Sequence, residues 1–133
     1  MYLTDEQAER WHARMVHPGR RTDCFCLIRL LDDSPVGEIS FHRLKSESMV
    51  ADLNVKVMAS ARGRGIGREA LGRFAGYFFG EFGGRALRDD VALANRGGRR
   101  ALARFGFRRV PGPCGVVRFE LTAREHAVTR QDA

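Results

Sequence analysis

"ARGRGIGREALGRF", Ala61 to Phe74, follows directly on "NVKVM" (54–58), a run rich in apolar and β-branched residues. Gly63, Gly65 and Gly67 alternate with Arg62, Arg64, Ile66 and Arg68. A strand that hands over to a helix through glycine is an anion site in physical terms. The first backbone N–H groups of a helix lack partners inside it, and the helix dipole adds partial positive charge there. Glycine removes the Cβ that would hold a phosphate away. The arginines around it carry forked donors that suit phosphate oxygens. The competing reading of this stretch is a plain flexible loop.

Three phosphate motifs can be laid on it. The P-loop requires GxxxxGK[ST], and no lysine or hydroxyl follows here. The dinucleotide fingerprint fits Gly65, Gly67 and Ala70, with Asp89 or Asp90 about 20 residues on as the ribose-binding acid. It is set aside because that fold opens with its first βαβ unit, whereas here an antiparallel hairpin comes first. The third pattern, [QR]xxGx[GA], is met by Arg62, Gly65 and Gly67.

Reading outward, Cys24–Leu31 (CFCLIRLL) is a buried-strand run and DDSP a turn. Val36–Leu44 alternates, with Gly37, Ile39, Phe41 and Arg43 on one side and Val36, Glu38, Ser40 and His42 on the other, so the two strands make an antiparallel hairpin. Met49–Met58 is a third strand. A helix is expected from about Gly65 to Phe82, with Ile66, Ala70, Phe74, Tyr77 and Phe78 on one face. Arg85–Ala94 reads as a strand ending at Asn95, Arg96–Phe105 as a short helix closed by Gly106, and Val116–Thr122 as a last strand. Thr4–Val16 is a further helix, with Thr4 and Gln7 as a capping box and Pro18-Gly19 as its stop. Residues 125–133 read as a polar, disordered tail. Antiparallel strands first and βα units later give an α/β fold with one mixed, mostly antiparallel sheet flanked by helices.

The chain of 133 residues suits a single domain spanning 1–133. No apolar run approaches bilayer length, and the N-terminus is polar and mixed in charge, so neither a membrane span nor a secretory signal is expected. The expectation is a cytoplasmic protein. Cys24, Cys26 and Cys114 are too few for a disulfide framework, and no CxxC or HxxxH pair offers a metal site. The formal net charge is +7, and of 23 basic residues only Lys45 and Lys56 are lysine. That excess allows a polyanionic partner, either nucleic acid or a phosphate-bearing small molecule.

The stretch "NVKVMASARGRGIGREALGRF", followed about 30 residues later by "ANRGGRRALARFGF", resembles the two signatures of the GNAT superfamily of acyl-CoA N-acyltransferases. "SPVGEISFHRL" is similar to the hairpin strand that precedes them. The similarity runs from about Cys24 to Leu121 and looks closest to the branch that acetylates ribosomal-protein N-termini and aminoglycosides. It implies a GNAT-like sheet lacking the usual first strand and helix, with acetyl-CoA as donor and a small-molecule or peptide amine as acceptor. It implies that the amides of Arg62, Gly63, Arg64, Gly65, Ile66, Gly67 and Arg68 hold the CoA pyrophosphate. The backbone of Val55 and Val57 pairs with pantetheine, an N–H near Met58 polarises the thioester carbonyl, and Asn95 hydrogen-bonds pantetheine. Asp52 falls where many relatives carry a glutamate that relays a proton from the amine. Such a base is needed because only the neutral amine is nucleophilic.

The sequence departs from the family where many members place a tyrosine that protonates the leaving thiolate. Leu102 stands there, and the segment holds no tyrosine. Two other readings are therefore carried: a GNAT-fold protein that binds CoA without turnover, and a basic nucleic-acid-binding module. The second lacks the aromatic platform of such binders. Arg96, Arg99, Arg100, Arg104, Arg108 and Arg109 form a basic run that reads as a solvated face or as contacts to the CoA 3′-phosphate or to nucleic acid. A homodimer is the expected assembly, with the partner walling the acceptor site.

Overall fold

The computed structural model describes residues 22–131, and the helix expected at Thr4–Val16 lies outside them. Apolar alternation builds the first three strands: β1 (Cys24–Arg29), β2 (Pro35–Lys45) and β3 (Val50–Val57). They run antiparallel, with Cys26 opposite Ile39 and Ile39 opposite Val55. Helix α1 (Ile66–Gly76) and a π-helical turn (Tyr77–Glu81) follow, then β4 (Ala86–Ala92) and helix α2 (Arg96–Phe105). The short β5 (Arg108–Val110), β6 (Val116–Thr122) and helix α3 (Ala123–Gln131) complete the chain. The sheet order is β1-β2-β3-β4-β6-β5, and the only parallel neighbours in it are β3 and β4. This is the mixed, mostly antiparallel α/β sheet the sequence predicts.

One face of the sheet carries the core. Ile28, Ile39, Phe41, Leu87 and Leu121 are fully buried on it. Helix α1 packs there through Ile66, Ala70, Leu71 and Phe74. The ring of Phe41 lies 6.0 Å from that of Phe74, 5.2 Å from Phe78 and 5.3 Å from Phe82. Truncating such a ring to alanine costs about 3–5 kcal/mol. Helix α2 lies beside α1, its Phe105 ring 3.9 Å from where a Cβ on Gly72 would stand.

Three expectations need correction. Strict alternation puts Arg43 on the core side of β2, but the register breaks between His42 and Lys45, and Arg43 takes φ 53°. The bulge turns Leu44 inward and leaves Arg43 exposed. The helix expected to Phe82 changes hand-hold after Gly76: Phe82 N–H donates to Tyr77 O at 2.9 Å, a wider turn that seats three phenylalanines. The expected tail is helical through Gln131. Glu125 N–H donates to Thr122 Oγ1 and Thr122 N–H to Glu125 Oε1, each at 3.1 Å, a reciprocal cap. Arg108 Nε donates to Glu125 at 2.9 Å, and the ring of the buried His126 sits 5.0 Å from that of Phe79. That packing anchors the helix. No helix among the described residues is long and apolar enough to cross a membrane.

Candidate active site at the fork of the sheet

Strands β3 and β4 pair at three positions: Val50 with Ala86, Ala51 with Leu87 and Asp52 with Arg88. Beyond them β3 continues to Val57 beside β2, and β4 to Ala92 beside β6. The sheet forks there, leaving two facing strand edges with backbone groups to satisfy. Met58 N–H donates to Val36 O at 2.7 Å, toward β2. Alternation therefore aims the backbone of Val57 and Val55 at the fork. The same bond turns the Met58 N–H itself away from the fork, so of the N–H groups near Met58 it is that of the neighbouring Val57 that faces it. The Val57 carbonyl already accepts from Arg62 Nε at 3.0 Å.

The glycine turn stands at the open end of β3. Gly63 (φ 80°) and Gly65 (φ 78°) both lie in the left-handed region that disfavours a side chain. Gly65 is the N-cap of α1, with no side-chain cap hydrogen bond. A Cβ on either glycine would meet no protein atom within 4 Å, so the space over the turn is open. A Cβ on Gly67 would stand 3.4 Å from Val57 Cγ2, which ties the helix start to the end of β3. Arg64 donates to Ser60 O at 3.2 Å, bracing the loop, and Arg68 is exposed. Free amides, absent Cβ atoms and flanking guanidinium groups fit a pyrophosphate.

The second wall differs. Asn95 accepts from Gly98 N–H at 2.9 Å, capping α2. A Cβ on Gly98 would stand 2.7 Å from Asn95 Nδ2, so the glycine makes room for the cap. Leu102 is buried in the core cluster rather than presenting a polar group.

Three carboxylates gather where the strands part. Asp52, 40% exposed, is held by Arg43 Nε at 2.7 Å. The bulge in β2 is what brings Arg43 there. Asp90 is gripped by Arg118, whose Nε and Nη2 donate at 2.7 and 2.9 Å, and these bonds hold its carboxyl below the usual range. Asp89 is half-buried and has no hydrogen-bond or ion-pair partner among the described residues. Burial, then the charges of Asp90 and Asp52, push its pKa up to about 7. Sequence reasoning considered Asp89 only as a ribose-binding acid in a motif it set aside. The signal was its period-two spacing between Leu87 and Val91.

Comparison with known proteins follows the same lines. No curated protein sequence matches this one. The fold is similar to that of the spermidine N-acetyltransferase SpeG of Vibrio cholerae: TM-score 0.74 at 14% identity, covering 96% of this chain and 79% of that one. A chimera of that enzyme with hSSAT gives a TM-score of 0.75 at 14% identity over 95% of this chain and 81% of that one. The family model for the acetyltransferase (GNAT) domain matches residues 1–108. With that match over most of its length, the chain belongs to the GNAT acetyltransferase family.

Proposed function

We propose that this chain transfers the acetyl group of acetyl-CoA to a primary amine by direct attack. One observation carries the reading: a sheet fork whose β3 edge leads straight into an uncapped, glycine-built helix N-terminus. A pyrophosphate on that turn places an extended pantetheine arm along the edge of β3, where Val55 and Val57 offer backbone partners. The thioester supplies an activated acetyl group and a thiolate leaving group. The chain's residues hold the ends and move the protons. The amides from Gly63 to Arg68 receive the phosphates, the Arg62 N–H being already given to Ala59 O at 3.3 Å, and Asn95 fixes the second wall. Asp52, at the last paired position of β3, accepts the proton that the amine sheds, directly or through a water. The acceptor class is a small amine. Spermidine is the first to try, because the similar solved structures are spermidine N-acetyltransferases.

A second reading, CoA binding without turnover, is favoured by one feature: Leu102 occupies the position of the family's tyrosine acid. Free-thiol release from acetyl-CoA, measured with spermidine and a panel of primary amines, separates the two. Amine-dependent thiol release supports transfer. Tight acetyl-CoA binding with no release by any amine supports the second reading.

A further inference from the structure

On the acetyltransferase reading above, the family's usual tyrosine acid is replaced by Leu102, and the leaving sulfur needs a proton from elsewhere. We infer that Asp89 is that proton donor, acting from the helix side of the fork while Asp52 acts from the other side.

Register and alternation support the assignment. Asp89 is the first residue of β4 beyond the last pair with β3, Asp52–Arg88. It faces Phe119 of β6, between the pairs Leu87–Leu121 and Val91–Val117. Those four residues and Phe119 are all buried core, so the carboxyl projects to the side where α1 and α2 pack. Leu102 belongs to that same core. Asp52, Arg88 and Asp90 fall on the opposite side, with Arg118 opposite Asp90 and Glu120 opposite Arg88. The fork thus separates two aspartates by one strand and by environment. Asp52 has its arginine, and Asp89 has none.

The charges around Asp89 are few. Helix α1 buries Ile66, Ala70, Leu71, Phe74 and Ala75 against the sheet, none of them ionisable. Helix α2 buries Leu102, and its half-buried Arg99 has a shielded Nε with no partner. From β3 comes Asp52, from β6 Arg118 and Glu120 on the far side, and from α3, at the other end of β6, Glu125 and His126. Desolvation thus holds the proton on Asp89 near neutral pH. A carboxylic acid of pKa about 7 can protonate a thiolate whose acid has a pKa of about 8.5.

The step balances. The amine nitrogen forms the new C–N bond and the C–S bond breaks. The sulfur takes the proton of the Asp89 carboxyl, and Asp52 takes the proton leaving the nitrogen. Solvent exchange then returns both carboxyl groups to their starting states, for a net transfer of one proton from nitrogen to sulfur. One carboxyl group kept protonated by burial, beside a second held by an arginine, is a recognised basis for acid and base roles.

The test is a carbon-13 NMR titration of aspartate carboxyl groups in the full chain, with and without saturating CoA, the Asp89 signal being assigned from its loss in Asp89→Asn. The expected midpoint is about 7, and CoA should move it. A midpoint near 4, or one that saturating CoA leaves unmoved, overturns the inference. This readout needs no amine, so it decides whether or not spermidine is the acceptor. With an amine that is turned over, Asp89→Asn should lower kcat about 100-fold with the acetyl-CoA Kd unchanged, and an unaltered kcat overturns the inference. Failure to bind CoA at all removes the acetyltransferase reading, and this inference with it.

Discussion

The two walls of the fork begin alike and end differently. Both β3 and β4 leave the shared sheet, pass through a turn and start a helix with an arginine in its first turn, Arg68 in α1 and Arg96 in α2. On the first wall, Gly65 caps α1 with no side chain and the amides stay free. On the second, Asn95 turns its own oxygen onto Gly98 N–H and occupies the helix start itself. The two helix N-termini therefore differ: the first leaves its amides open, and the second is capped by a side chain. Basic residues do not discriminate between them. Backbone geometry does.

The largest contrast lies in the strands. The second wall carries the unpaired Asp89, whose pKa is raised to about 7. Between about pH 4 and pH 7 the folded chain keeps this proton and the unfolded chain loses it. Stability therefore falls as pH rises through that window, by about 1.4 kcal/mol per unit from this group. Denaturant unfolding across pH should show that decline, and Asp89→Asn should remove it. A decline that survives the substitution would assign it to other groups.

Gly65→Val attacks the first wall. A β-branched residue at φ 78° is strained by about 1–3 kcal/mol, and its side chain fills the open space over the turn. Acetyl-CoA affinity should drop by at least about tenfold with the fold retained, as judged by circular dichroism. Asn95→Ala attacks the second wall. Loss of the cap should cost about 1 kcal/mol of stability. Acetyl-CoA affinity should change far less than in Gly65→Val. Equal losses from both substitutions would erase the distinction between the walls. The smallest effect is expected from Arg100→Ala with Arg104→Ala. Both residues are exposed on α2, and acetyl-CoA affinity at fixed salt should stay nearly constant. A marked loss would place the CoA 3′-phosphate on that helix.

Much of this comparison was legible in the residues. An apolar run placed β1, alternation placed β2 and the apolar face of β3, and glycine spacing placed the turn before α1, whereas the exposure of Phe25 and Leu27 on β1 was not foreseen. The bulge at Arg43 was not legible, because a single left-handed residue reverses a strand's faces without altering its composition. The direction of the Met58 N–H depends on register with β2, which no local pattern encodes. Helix α3 carried a readable signal, Thr122 followed three residues later by Glu125, inside a segment whose polarity suggested disorder. Asp89 sits in "RALRDDVALA", where polar letters obscure a buried face. Pairing with β6 was needed to show that Asp89 shares its side with Leu87 and Val91.

The central claim is that the glycine turn at the fork is an acetyl-CoA cradle. Its most direct test is calorimetric titration of the chain and of Gly65→Val with acetyl-CoA, with NAD as the control ligand at the same salt. The account predicts saturable one-to-one binding of acetyl-CoA to the parent chain, weakened in Gly65→Val, with no heat from NAD. Equal binding to both chains, or none to the parent, would contradict it.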